Sequence, residues 1–202
     1  MYGINKQGEK SAMANKHVYI LLTDTGTVLT RAIKLYTRKP YNHASIAFDY
    51  ELTEVYSFGR KNPRNPLIGG FVKENLNNCL FERATGVIYR LTVSETEYHR
   101  MKGFVKQIAD DKENFRYNLI GLIAVLFNIE LDRENAFFCS EFVATVLEQS
   151  DQIKFNMPLS LVTPSDLLEI GKLELIYEGI LTDYKDKYTR CLTYSPSVFN
   201  AI

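Results

Sequence analysis

The order in which two hydrophobic periods occur along the chain constrains the fold most. Runs with a period of two dominate the first half, helical spacing dominates the second, and one more extended run closes the chain. HVYILLTDTG is a compact apolar stretch ending in a Thr-Asp-Thr-Gly turn signal, which predicts a strand over Val18 to Leu22. HASIAFD and ELTEVYSFG alternate on either side of Asp49-Tyr50-Glu51 and predict a β-hairpin; GVIYRLTV predicts another strand. Val28, Leu29, Ala32, Ile33 and Tyr36 recur at helical spacing. A second helix opens after Ser94, helped by Glu95 and Glu97, with a capping box that reads as incomplete. Residues 117–128 read as an apolar helix, and residues 139–149 as another, with Phe142, Val143, Val146 and Leu147 on one stripe. TPSDLLEIG reads as a short capped helix and LELIYEGIL as a last strand. Strands early and helices late predict an α+β fold on an antiparallel sheet rather than alternating βαβ units.

The stretch RKNPRNPLIGG interrupts this pattern. Its density of Pro, Asn and Gly predicts a loop over 59–72, with close backbone approach at Gly69-Gly70. Arg60, Lys61 and Arg64 then read as a solvated charged loop. Residues 1–16 are polar and aperiodic and read as a flexible leader. The domain is expected over 17–181, with 182–202 a tail packed on it or covering a cleft.

The balance of charge narrows the function classes. With 24 basic and 24 acidic residues among 202, no global field draws the chain to nucleic acid. The longest apolar stretch, Leu119 to Ile129, is too short for a bilayer, so no integral membrane segment is expected. Three scattered cysteines, Cys79, Cys139 and Cys191, form no CxxC pair. They fit a reducing compartment, a cytoplasmic setting, and neither a zinc site nor a disulfide scaffold. No metal or other cofactor is expected. No phosphate loop, His-Glu-x-x-His motif or calcium loop occurs.

The sharpest local signal is Phe137-Phe138-Cys139-Ser140-Glu141-Phe142-Val143. Cys139 falls in the first turn of a predicted helix. Free N–H groups and the positive end of the dipole there favour a thiolate nucleophile and an oxyanion. A lone cysteine between aromatics is also an ordinary small buried hydrophobe. Of the three histidines, His17 sits at a strand start beside the leader, and His99 lies on a charged helix face. His43 opens a strand among Ala44, Ser45 and Ala47, which leave room around an imidazole. It reads either as a base or as a strand-terminal histidine bonded to a loop.

Four short motifs in order add to this. Asn42-His43-Ala44-Ser45-Ile46 comes first, then Tyr117-Asn118, then Phe138-Cys139-Ser140-Glu141-Phe142-Val143, then Thr163-Pro164-Ser165-Asp166-Leu167. Over roughly residues 17–180 the chain resembles the permuted NlpC-type, papain-like cysteine hydrolases, the branch similar to lecithin–retinol acyltransferase. The resemblance implies Cys139 as nucleophile, His43 as base and a polar third residue on the second hairpin strand. Ser57 aligns there, and Glu54 would serve in a shifted register. Tyr117, Tyr56 and Ser140 are candidate substrate-binding residues. The expected activity is hydrolysis of a small peptide or acyl-amide through an acyl-thioester. The alternatives are acyl transfer or thioester hydrolysis on lipid-like groups, or a non-catalytic binding module. Oligomeric state cannot be read from these patterns.

Overall fold

The computed structural model describes residues 15–24, 39–62, 65–76, 81, 84–118, 121, 129–130 and 135–184, with residues 60–62 and 65–68 as backbone alone. The predicted helix near 28–36, most of that over 117–128, the leader, Cys79, Cys191 and the tail beyond 184 lie outside the described residues. The architecture is α+β, built on a mostly antiparallel sheet.

Strands β1 (Asn15–Asp24), β2 (His43–Ala47), β3 (Val55–Asn62), β4 (Asn65–Glu74), β5 (Thr85–Ser94) and β8 (Leu173–Ile180) form a 6-stranded sheet in the order β4-β3-β2-β1-β5-β8. Every pairing in it is antiparallel. Helix α1 spans Glu95–Asp110 and helix α2 spans Cys139–Leu147. Two short parallel strands, β6 (Arg116–Tyr117) and β7 (Ala136–Phe137), lead toward α2. No helix among the described residues is long and apolar enough to cross a membrane.

Strand β1 is apolar on both faces because both faces are covered. Val18, Ile20 and Leu22 pack with Phe58, Phe71, Met101 of α1 and Phe142 of α2. Tyr19 and Leu21 pack on the opposite face with Ala47, Val55, Ile88 and Tyr184. The expected hairpin forms with Ile46 opposite Tyr56 and Ala47 opposite Val55. Asp49 builds its turn: the carboxylate accepts from the backbone N–H groups of Thr53 and Glu54 and from the Thr53 hydroxyl.

Three expectations are corrected. The described residues within 59–72 are not a loop: β3 runs to Asn62 and pairs with β4, with Gly59 opposite Gly70 and an irregularity between Arg60 and Asn62. Strand β4 is the edge of the sheet, where proline and glycine are tolerated. A Cβ at Gly69 would stand 2.7 Å from Cβ and Cγ of Tyr117, so glycine lets β6 lie against β4. Tyr117 is therefore in a short strand, and it is Asn118 that opens the next helical turn, its Oδ1 accepting from the Gly121 N–H at 2.8 Å. The capped segment at 163–171 is a 3-10 turn over Asp166–Glu169, with the Thr163 N–H and hydroxyl donating to Asp166.

The capping box of α1 is complete, with Glu97 as its acidic member. Glu97 Oε2 accepts from the Ser94 N–H and hydroxyl, while Oε1 accepts from the Ser150 hydroxyl and the Asp151 N–H. The Ser150 hydrogen bond is the largest cause that holds Glu97 down at about 2; burial opposes it, and the Ser94 and Asp151 donors add to it. Glu97→Ala should cost about 2–3 kcal/mol in urea unfolding at pH 7, since it orphans several donors of a charged group. The folded carboxyl is more acidic than its ordinary value of 4.5. This stability is therefore present above that value and is lost as pH falls through about 2. The gap between wild type and variant should narrow over that window.

Candidate active site

Cys139 is the first residue of α2, after Phe138 in extended conformation (φ -103, ψ 173). Phenylalanine has no side-chain acceptor, so only half a capping box forms, with the Phe138 N–H donating to Glu141 Oε2 at 3.2 Å. The first intrahelical bond runs from the Phe142 N–H to the Phe138 carbonyl, which leaves the N–H groups of the first turn outside the helical ladder. The Ser140 N–H and the Ala44 N–H of β2 both favour the anion of the Cys139 sulfur. The Ser140 hydroxyl is turned away, donating to the Val162 carbonyl at 2.7 Å, and pins the start of α2. Ser140 thus contributes its backbone, and its buried hydroxyl is a structural tether rather than a substrate contact.

His43 opens β2, and Cys139 is among the groups that act on its ring. Its Nε2 lies 2.7 Å from Glu74 Oε1. The side chains of His43 and Glu74 are 16% and 6% exposed, so this ion pair is shielded from water. Glu74 ends β4 and stands opposite Val55 in the β3–β4 register. That places it on the same face as Ser57, two residues along β3. The Ser57 hydroxyl donates to Glu74 Oε1 at 2.5 Å, and the Ser45 hydroxyl donates to Oε2 at 2.8 Å. Ser45 also lies 3.4 Å from His43 Nε2.

The electrostatics of the three ionisable groups are linked. Burial works against a charged His43. The Glu74 charge, the neighbouring Cys139 and the hydrogen bond that the ring donates to Glu74 override it and push the imidazole up to about 10. Burial likewise opposes the Glu74 anion, yet the His43 charge and hydrogen bonds from His43, Ser57 and Ser45 hold its carboxyl below the usual range. Burial raises the Cys139 thiol, but the hydrogen bond and charge of His43, with the Ala44 and Ser140 N–H groups, bring it below an ordinary thiol. The favoured forms are imidazolium and carboxylate, beside a thiol more acidic than an ordinary one. Such charges persist when buried only because each is paired and hydrogen-bonded.

Compared with protein-family models, with curated proteins and with solved structures, the chain has no match.

The residues expected from sequence divide clearly. Cys139 and His43 come together. Ser57 is corrected: it is part of the site, but it donates to Glu74 and does not orient the imidazole itself. Glu54 is excluded as orienter, since its carboxylate pairs with Lys102 at 2.5 Å. Tyr56 alternates to the other face of β3, where it stacks on Phe71 with ring centres 5.8 Å apart, and so lies away from the site. Tyr117 pairs with Phe137 in the β6–β7 ladder and packs against Gly69. His17 contacts Thr92 at a strand edge, and His99 is exposed beside Glu95. The side chains of Arg60, Lys61 and Arg64 lie outside the described residues.

Glu74 is the residue that sequence reasoning missed. The signal lay in reading Gly69 to Glu74 as a strand antiparallel to Val55–Gly59, which sets its terminal carboxylate beside Ser57. Among the described residues no group of three His, Cys, Asp or Glu side chains is arranged to hold a metal ion. A cavity of about 200 Å³ opens elsewhere, beside Thr92, Gln152, Lys154 and Lys172, and none of Cys139, His43 or Glu74 lines it.

Proposed function

We propose that this chain is a cysteine hydrolase of the permuted papain-like type, with Cys139 as nucleophile, His43 as acid–base and Glu74 as the orienting carboxylate. The observation that supports the reading is the His43 imidazole bound through Nε2 to the buried Glu74 carboxylate, with Cys139 among the groups that raise the same ring's proton affinity. A nucleophile joined to a base that a third group orients is the recurring arrangement of acyl-transfer enzymes.

The chemistry follows from the charge state. The Cys139 thiolate attacks the carbonyl carbon of an amide, or of an ester. A carbon–sulfur bond forms, and the carbonyl pair moves onto oxygen. N–H groups at the start of α2 and at the head of β2 favour the Cys139 anion, and N–H groups left free in the first turn of α2 would hold that oxyanion. As the tetrahedral centre collapses, the His43 imidazolium gives its proton to the leaving nitrogen or oxygen. The thioester remains on Cys139. Neutral His43 then takes a proton from water, hydroxide adds to the thioester carbon, and the thiolate leaves as the acid departs. Glu74 holds the ring in one orientation and stabilises the imidazolium at both stages. Small peptides or acyl-amides are the substrates this reading favours.

Acylation tests it directly. On mixing with a p-nitrophenyl ester, the protein should release a burst of nitrophenolate close to one equivalent. Peptide mass spectrometry should place the acyl group on Cys139. The burst should vanish in Cys139→Ala and slow by at least about a hundredfold in His43→Ala, the lower range of a general-base contribution. Equal acylation with and without His43, or none at Cys139, overturns the assignment.

A further inference from the structure

Ser45 and Ser57 are both completely buried, and both spend their hydroxyl protons on the same carboxylate. Their bonds are divided between its two oxygens. Ser57 shares Oε1 with His43, and Ser45 holds Oε2. A carboxylate fixed at both oxygens cannot rotate away from the ring. A protonated carboxyl would turn one oxygen into a donor and force one of its three partners to become an acceptor, so the arrangement favours the anion. The two serines come from adjacent strands, β2 and β3, and Glu74 from the next, β4. The sheet register therefore builds this cradle, independent of α2.

We propose that Ser45 and Ser57 are positioning residues of the site: their hydroxyls fix Glu74 as an anion with Oε1 on His43, and so preserve the imidazolium–thiolate pair toward acidic pH. The proposal rests on the reading of Cys139, His43 and Glu74 as a catalytic set. The described titratable groups bearing on the cradle are His43 from β2, Glu74 from β4 and Cys139 from α2. Lys73 belongs to the opposite face, where its ammonium lies 6.0 Å from the Tyr56 ring centre.

Without the hydroxyls, Glu74 takes up a proton at higher pH. His43 then loses its counter-ion, and the thiolate loses its imidazolium. The acid limb of thiolate formation must move upward. Donors to a carboxylate lower its proton affinity, so removing both should shift that limb by about one pH unit, with a smaller shift in each single variant. Thiolate absorbance at 240 nm, taken as the difference from Cys139→Ala, reads the limb without requiring a reagent to reach the buried sulfur.

The experiment compares wild type, Ser45→Ala, Ser57→Ala, the double variant and the hydroxyl-retaining Ser57→Thr. Support is an upward shift in the alanine variants, restoration by threonine, and no shift from Ser57→Ala in a Glu74→Gln background. Urea midpoints at pH 7 separate a titration effect from lost folding. If an alanine variant does not fold, the Glu74→Gln pair and Ser57→Thr still decide. Alanine variants that titrate like wild type, or a Ser57→Ala shift that persists without Glu74, overturn the proposal. A wild type whose Cys139 ionises like an ordinary thiol instead defeats the catalytic reading itself, so the two failures are distinguishable.

Discussion

Replacing Glu74 with glutamine should return Cys139 to the behaviour of an ordinary thiol. An ordinary cysteine ionises near 8.5, so its thiolate fraction rises about tenfold per pH unit below that, or about a thousandfold between pH 5 and pH 8. The variant should show that rise in absorbance at 240 nm. The wild type should show a far smaller one, because His43 and the two N–H groups already favour the anion. Loss of the buried pair should also cost about 3 kcal/mol at pH 7, as removing one partner of a buried ion pair does. The pH dependence has a defined sign. His43 is raised from 6.5 to about 10, so its contribution is complete below 6.5 and is lost as pH rises through 10. The stability gap between wild type and Glu74→Gln should therefore close on the alkaline side. A gap constant from pH 6 to pH 10 would rule out the charged pair.

Phe142→Ala should be the most destabilising single change in the core, at about 3–5 kcal/mol in urea unfolding. The side chain is fully buried. Its ring centre lies 5.2 Å from that of Phe58, 5.8 Å from Phe71 and 6.4 Å from Phe137. Phe58 and Phe71 belong to β3 and β4, the strands that carry Ser57 and Glu74. Phe142 lies in the same helix as the nucleophile, three residues on, so the aromatic cluster clamps α2 to the strands that hold the carboxylate. Phe142→Leu conserves most of the contact and should cost about 1 kcal/mol. If the alanine variant loses less than the leucine variant, this cluster is not what seats α2.

What the sequence makes legible follows from the range of the interactions involved. Strands β1, β2, β5 and β8 and helices α1 and α2 carry their own periodicity, so each can be read from a short window. Cys139 and His43 announce themselves by local setting, one opening a helix and the other opening a strand. Glu74 does not, because its role comes from pairing between β3 and β4. Proline, asparagine and glycine conceal that pairing, and an edge strand tolerates them. With β4 hidden, Ser57 is the nearest polar group on the hairpin, and it reads as the partner of His43 in place of the carboxylate that it supports. Ser140 and Tyr56 failed for simpler reasons. A hydroxyl in the first turn of a helix can turn back to a neighbouring carbonyl, and strand alternation sends Tyr56 to the far face.

The meander from β2 to β4 has one more consequence. His43, Ser45, Ser57 and Glu74 all lie in one continuous stretch, with His43 and Glu74 separated by 31 positions. The cysteine arrives much later, on a helix that docks from outside that stretch. The part of the site that holds the imidazole is thus a self-contained strand assembly, and Cys139 is a separate part fitted to it. As the chain leaves the ribosome, Cys139 emerges as a common thiol, poorly ionised and slow to oxidise. On the proposed reading it becomes a nucleophile only when α2 seats against the sheet, which makes that maturation a folding step.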